Sequence, residues 1–224
     1  MRRILCALLL VCVAPGVSEA VLPSYDEPVR TVWLIRHGEY EHGVDTPDEG
    51  GLVALGRQQA RLVAARLDGY PVAFTSLQAS SMTRARETAA IIAAHYPELE
   101  LVLHDDIREC TPTTRREDIM ADLEPGEAEA CEANLAAAWQ RLFVPAAGAT
   151  DEHDLVVCHG NVIRWFVTRA LEVDPAAWLG MSIANCSLTV VQVRADGSCK
   201  LVAFADSGHI PWGMTAYPGT SPEQ

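Results

Sequence analysis

The stretch Val32 to Tyr40, "VWLIRHGEY", puts four apolar residues directly before an Arg-His-Gly. The apolar part has the pattern of a buried strand. For an isolated "RHG", a strand running out into a polar turn is the simplest account, because short motifs recur by chance. A second stretch weakens that account. "DLVVCHGN", 154–161, is another apolar run closed by His-Gly, and it passes at once into the helical pattern "NVIRWFVTRALEV".

Outward from these two runs, strand-like segments recur at 31–36, 71–76 ("PVAFTS"), 99–104, 154–159, 187–193 and 200–205. Helical patterns lie between the first four. Ala60, Val63, Ala64 and Leu67 share one face of "GRQQARLVAARLDG", which Gly69 closes, and Met82, Ala85, Ala89 and Ile92 form a stripe before Pro97. "EAEACEANLAAAWQRLF" is a third helix and "NVIRWFVTRALEV" a fourth. Such alternation predicts an α/β fold, a three-layer α/β/α sandwich around a mainly parallel sheet. Asp196-Gly197 in "RADGS" predicts a hairpin between the last two strands. One domain over 22–210 follows, with a Pro-, Gly- and Ser-containing tail over 211–224.

The first twenty residues stand apart. Arg2 and Arg3 precede an apolar run from Ile4 to Ala14, and small residues at Ser18 and Ala20 follow. This is the pattern of an export signal ending at Ala20, which predicts a periplasmic or secreted chain; an uncleaved membrane anchor is the alternative. The net charge is −13, and loss of two Arg and one Glu with the signal makes it −14. That acidity argues against nucleic acid or an anionic membrane as partner. It also requires a local cluster of cations wherever an anionic substrate binds.

Five cysteines lie beyond residue 20: Cys110, Cys131, Cys158, Cys186 and Cys199. The number is odd and no CxxC occurs, so free thiols are expected, with room for one disulfide whose pairing the spacing leaves open.

Ligands of parallel sheets bind beyond the carboxyl ends of the strands. Two strands ending in His-Gly therefore point to one site. A phosphoryl group suits it, since its transfer depends on positioning and electrostatic stabilisation. Arginine grips phosphate oxygens in bidentate fashion, and a helix start near Gly160 adds backbone N–H groups. A neutral histidine nitrogen can act as nucleophile. A carboxylic acid must then protonate the departing alcohol and activate the water that follows.

The motifs "LIRHGEY", "SSMTRARETA", "IREC" and "VVCHGN", in this order, resemble the histidine phosphatase superfamily, the phosphoglycerate mutase and acid phosphatase group. The resemblance covers about 31–210. "SSMTRARET", "CHGNVIRWFVTRAL" and "DSGHIP" are most similar to its mitochondrial serine/threonine phosphatase branch. It implies a metal-independent phosphatase without cofactor that forms a phosphohistidine on His37. Arg36, Arg84 and His159, with Gly160 beside it, would hold the phosphate, and Glu109 would donate the proton. The substrate would be a phosphorylated small molecule or a phosphoprotein, and a homodimer is open. The alternatives are a phosphoserine/threonine or phosphohistidine protein phosphatase on the same site, and a non-catalytic phospho-ligand-binding protein on this fold.

Departures from the pattern carry expectations of their own. Cys110 follows Glu109 where small residues are usual, so the acid-bearing loop should be held differently. The insertions that enclose a phosphoglycerate in mutases are missing, and so is the short oligomerisation motif of the mitochondrial branch. Cys158 to Arg164 satisfies the Cys-x5-Arg spacing of cysteine-based phosphatases, but "NVI" inside it reads as a helix start instead of a phosphate-cradling loop. His95, His104 and His153 are expected at a solvated surface, and His42 and His209 are candidates to approach the pocket from loops. No zinc-type spacing occurs. Arg115 and Arg116 are candidates for the rim, and Glu39 and Asp106 are reserve carboxylates.

Overall fold

The computed structural model describes residues 22–43 and 50–217. The expected leader over 1–20 and the end of the tail lie outside the described residues. Six strands form one sheet: β1 (Arg30–Arg36), β2 (Ser76–Ser80), β3 (Leu101–His104), β4 (Glu152–Cys158), β5 (Leu188–Val193) and β6 (Cys199–Asp206). Their spatial order is β3-β2-β4-β1-β5-β6. The first four are mutually parallel, while β5 and β6 run antiparallel as a hairpin on one edge.

Helices cover both faces, and the strand pattern says why. Along β1, Trp33 and Ile35 enter the core beneath α1 (Ala54–Asp68) and α2 (Thr83–Ala93). Val32 and Leu34 enter the opposite core, beneath α4 (Glu127–Leu142) and α5 (Gly160–Ala170). β4 divides likewise, with Leu155 and Val157 on one side and Val156 and Cys158 on the other. A strand buried on both faces reads as a near-continuous apolar run, hence "VWLI" and "LVVC". A short helix, α3 (Glu117–Ala121), precedes α4 and carries no apolar periodicity long enough to predict it.

The second strand differs from expectation. The apolar run at 71–76 lies almost entirely before β2, which is the polar "SLQAS". Phe74 packs edge-on against Trp33 and Tyr96 beneath the sheet, and Thr75 donates its N–H to the His153 carbonyl at 2.8 Å. In β2 itself only Leu77 and Ala79 feed the α1/α2 core, while Ser76 donates to Asp154 and Gln78 accepts from Arg141. His153 is a second correction. It is 8% exposed, and its Nδ1 faces the Trp33 indole N–H at 3.4 Å. An indole N–H buried in a core needs an acceptor, which accounts for a histidine at the start of β4.

Among the described residues, no helix is long and apolar enough to cross a membrane. Tail residue Ala216 accepts the Asn185 N–H at 3.0 Å.

Candidate active site

β1 and β4 are adjacent and in register, with Arg36 opposite Cys158, so the residues after them meet. The His37 N–H donates to the Cys158 carbonyl at 3.0 Å, and the His37 and His159 rings lie 5.0 Å apart. The other two parallel strands deliver their chemistry at the same edge. β2 leads into α2, whose second residue is Arg84, and β3 leads into the loop that carries Glu109. Four parallel strands thus converge on one pocket at their carboxyl ends. It contains all six candidate residues: Arg36, His37, Arg84, Glu109, His159 and Gly160.

Close backbone approach explains the glycine of "RHG". A Cβ on Gly38 would lie 2.5 Å from the Gly56 carbonyl oxygen, and one on Gly56 would lie 1.9 Å from that of Glu39. The turn after β1 is pressed onto the start of α1, and neither position has room for a side chain.

The imidazole of His37 is 2% exposed, with Nδ1 2.8 Å from the Gly38 carbonyl and Nε2 accepting the Arg84 Nε–H at 3.2 Å. These partners select the tautomer with the proton on Nδ1 and the lone pair on Nε2. Burial, reinforced by the Arg36 and Arg84 cations, holds the ring well below the ordinary histidine range, so it stays neutral. His159 is fully buried, and burial lowers it as well, with His37 and the arginines adding to the effect. Its Nε2 meets the Ser80 hydroxyl at 2.7 Å, and that oxygen also accepts the Met82 N–H at 3.3 Å. With its hydrogen directed to Nε2, Ser80 leaves the His159 proton on Nδ1, which lies 3.7 Å from the Glu109 carboxyl.

Glu109 Oε1 accepts the Asn161 N–H, at the start of α5, at 3.1 Å. The side chain is 27% exposed, yet burial pushes the carboxyl above its usual range against the opposing pull of Arg36, the Asn161 N–H, Arg84 and Arg164. A raised carboxyl pKa is what a general acid needs. Backbone donation at the start of α5 thus goes to the acid, where the sequence suggested a phosphate contact.

One nitrogen each of His37 and His159 and one Glu109 oxygen lie within 4.8 Å of one another. By donor type this trio could ligate a divalent cation. However, Arg84 donates directly to His37 Nε2, and Arg36, 7% exposed with its Nε lacking a hydrogen-bond partner, flanks Gly160. Two guanidiniums repel a cation and attract a dianion, so the pocket is built for an anion.

Several groups here were missed in the sequence. Thr88 accepts the Gly38 N–H at 3.0 Å and donates to the Arg84 carbonyl at 2.8 Å. Asn185 donates its side-chain N–H to the His37 carbonyl at 3.0 Å. Tyr40 sets its ring edge-on to His37 and 4.6 Å from the Arg84 guanidinium carbon. Thr88, Ser80 and Met82 belong to "SSMTRARETA" itself, whereas Asn185 carries no motif signal.

Of the remaining candidates, Glu39 and His42 lie near enough to act on Arg36 and His37 electrostatically, and the others stand elsewhere. Arg115 pairs with Asp174 and Arg116 with Asp118 on the exposed surface. Asp106 is held by Arg141 at 2.6 Å, and Glu39 by His42 at 2.8 Å. His209 reaches the Cys186 carbonyl at 2.9 Å. Cys158 is fully buried and its thiol is pushed far up by burial, which removes the cysteine nucleophile.

Residues 32–207 match the histidine phosphatase superfamily (branch 1). The chain belongs to that superfamily. It is 38% identical over 189 residues to the serine/threonine-protein phosphatase Pgam5, mitochondrial, of Caenorhabditis elegans, covering 81% of this chain and 64% of that protein. The human protein of the same name is 35% identical over 187 residues, with the same coverage. This chain therefore spans less than two thirds of the length of these relatives. Among solved structures, a phosphoglycerate mutase from Plasmodium falciparum superposes with a TM-score of 0.59 at 27% identity, covering 83% of this chain and 96% of that one. YhfR of Bacillus stearothermophilus superposes at 0.68 and 21% identity, covering 81% and 100%, and so shares the fold.

These histidine phosphatase relatives correct one expectation. They are named mitochondrial, which contradicts a periplasmic or secreted location. Two arginines before a short apolar run do not by themselves separate an export signal from other N-terminal targeting segments.

Proposed function

We propose that the chain is a phosphatase that hydrolyses phosphomonoesters through a phosphohistidine on His37. The observation that carries this is the buried His37 ring, whose Nε2 lone pair faces Arg84 and which has a nitrogen within 4.8 Å of a Glu109 oxygen and a His159 nitrogen. Arg36 and Arg84 bind the phosphoryl oxygens, with the His159 Nδ1–H as a further donor. Nε2 attacks phosphorus, the ester P–O bond breaks, and the leaving oxygen takes the Glu109 proton. Glu109, now a carboxylate, takes a proton from water as that water's oxygen attacks phosphorus. The P–N bond breaks, Nε2 recovers its lone pair and inorganic phosphate departs.

The names of the relatives favour phosphoserine or phosphothreonine in proteins as substrate, and mitochondria as location. A non-catalytic binder has no support, since nucleophile, acid and phosphate cations are all present. Rapid quenching at neutral or alkaline pH should trap an acid-labile phosphoenzyme that His37→Ala abolishes. Phosphate recovered on any other residue would refute the assignment.

A further inference from the structure

Glu109 stands on irregular chain between the end of β3 at His104 and the start of α3 at Glu117. Side chains placed on loops are less precisely held than those on helices or strands, so contacts outside the loop must aim this carboxyl. The Glu109 N–H points at Met82 Sδ, 3.3 Å away, a weak acceptor. The Asn161 N–H holds Oε1, and the Asn161 side chain donates to the Cys110 carbonyl at 3.0 Å. The tie on the side after Glu109 is covalent. Cys110 is bonded to Cys131, with Cα atoms 5.6 Å apart across 21 residues of chain. Cys131 is 3% exposed in α4 and packs in the core with Leu135, Ile163 and Phe166. A rigid helix therefore grips the residue immediately after Glu109.

We propose that the Cys110–Cys131 disulfide is the positioning element for Glu109, so that the oxidation state of this pair governs proton donation. The role rests on the phosphatase mechanism above. Oxidised, the pair holds the carboxyl beside His159 and the start of α5. A dithiol reductant breaks the S–S bond, gives two thiols with its two electrons and two protons, and closes to its own disulfide. The loop is then tied to the protein by noncovalent contacts alone, among them buried Ile107 and the Asp106–Arg141 ion pair on the side before Glu109. Cys110 is only half-buried, so a reductant can reach the bond. Cys158 and Cys186 are fully buried, Cys199 is about half-buried, and burial raises all three thiols, which makes them poor competitors for redox chemistry.

Peptide mapping without reductant should recover Cys110 and Cys131 in one linked peptide. Turnover is then compared for oxidised protein, dithiol-reduced protein, Cys110→Ala and Cys131→Ala, on an alkyl phosphate and on nitrophenyl phosphate. Loss of the tie should slow the alkyl ester by about 10-fold or more, within the range of general-acid contributions. The nitrophenyl burst, whose leaving group needs no proton, should change by less than about threefold on the same principle. Glu109 is faced by Arg36 from β1, Arg84 from α2, His159 beyond β4, and Arg164 with the Asn161 N–H from α5. A freed carboxyl gains water, so the falling limb of the pH profile should move to lower pH. Reoxidation of the reduced protein should restore both rates, which keeps the test valid should the alanine variants fail to fold. Unlinked peptides, equal losses on both esters, or a fall in melting temperature alone would overturn the proposal. Failure of the phosphatase mechanism shows differently: the oxidised protein would turn over neither ester.

Discussion

The hydroxyl of Thr88 joins the two halves of the catalytic pocket, and removing it gives a prediction with a definite size. Oγ1 takes the N–H of Gly38, the residue after the proposed nucleophile, and gives its own hydrogen to the Arg84 carbonyl. Thr88→Val keeps the shape but removes the acceptor, stranding a buried N–H at a cost of about 1–3 kcal/mol. The Arg84 carbonyl still has its helical partner, so its loss is smaller. For a domain of this size each kcal/mol moves the melting temperature by about 2–4 °C, which predicts a fall of about 2–12 °C. A catalytic effect should accompany the stability effect, because the stranded N–H lies beside His37 and the Thr88 hydroxyl also contacts the Arg84 carbonyl. A misplacement of about 1 Å can cost about 100-fold, so kcat/KM should drop by about 10–100-fold at a temperature where the variant is fully folded. Thr88→Ser restores the hydroxyl at the expense of one methyl and should recover most of the activity. Thermal melts and steady-state kinetics on nitrophenyl phosphate measure both quantities. A valine variant with wild-type kcat/KM, or a serine variant no better than valine, would refute the reasoning.

Two further outcomes follow from the protonation states. His37 works unprotonated, so activity should appear as pH rises through its lowered pKa, below the ordinary 6.5. Glu109 works protonated in the first step, so activity should fade as pH rises through its raised pKa, above the ordinary 4.5. Rate profiles should therefore show a rising limb below 6.5 and a falling limb above 4.5, and a falling limb at or below the ordinary carboxylate pKa would exclude these assignments. Glu109→Gln should slow the alkyl ester by about 10²–10⁴-fold while sparing the phosphorylation burst with nitrophenyl phosphate. Equal loss in both would pass the acid role to another carboxyl, and Asp106 and Glu39 are already engaged by Arg141 and His42.

The parallel sheet could be predicted because β1 and β4 are buried on both faces and so read as unbroken apolar runs. β2 could not, because its outward positions, Ser76, Gln78 and Ser80, serve Asp154, Arg141 and His159 and erase the apolar signal. The same division holds in the pocket. Arg36, His37, Arg84, Glu109 and His159 sit in motifs at strand ends, whereas Asn185 reaches the His37 carbonyl from "ANCS", a stretch without periodicity or charge. The disulfide was equally illegible. Its partners lie 21 residues apart, and only the packing of α4 against the sheet brings them together.

Charge arithmetic in the pocket explains why the raised carboxyl and the lowered imidazoles belong together. With His37, His159 and Glu109 all neutral, Arg36 and Arg84 beside the nucleophile and Arg164 facing Glu109 leave the site cationic, suited to a phosphate dianion. Were Glu109 ionised, part of that positive charge would be cancelled and its carboxylate would repel the phosphoryl oxygens, at a separation where charges interact strongly once water is excluded. Binding of the dianion must therefore tighten the proton on Glu109, where the leaving oxygen needs it. Protonation of both histidines would instead add two positive charges, hold the phosphate more firmly and leave no lone pair to attack it. The chain as a whole carries −13, so this field acts only at short range, and phosphate esters are captured by the pocket itself instead of being steered by the surface. Added salt should accordingly raise KM only slightly or even lower it, since screening weakens the repulsive surface more than the buried guanidiniums. A steep rise of KM with salt would mean that cations outside this pocket bring the substrate in.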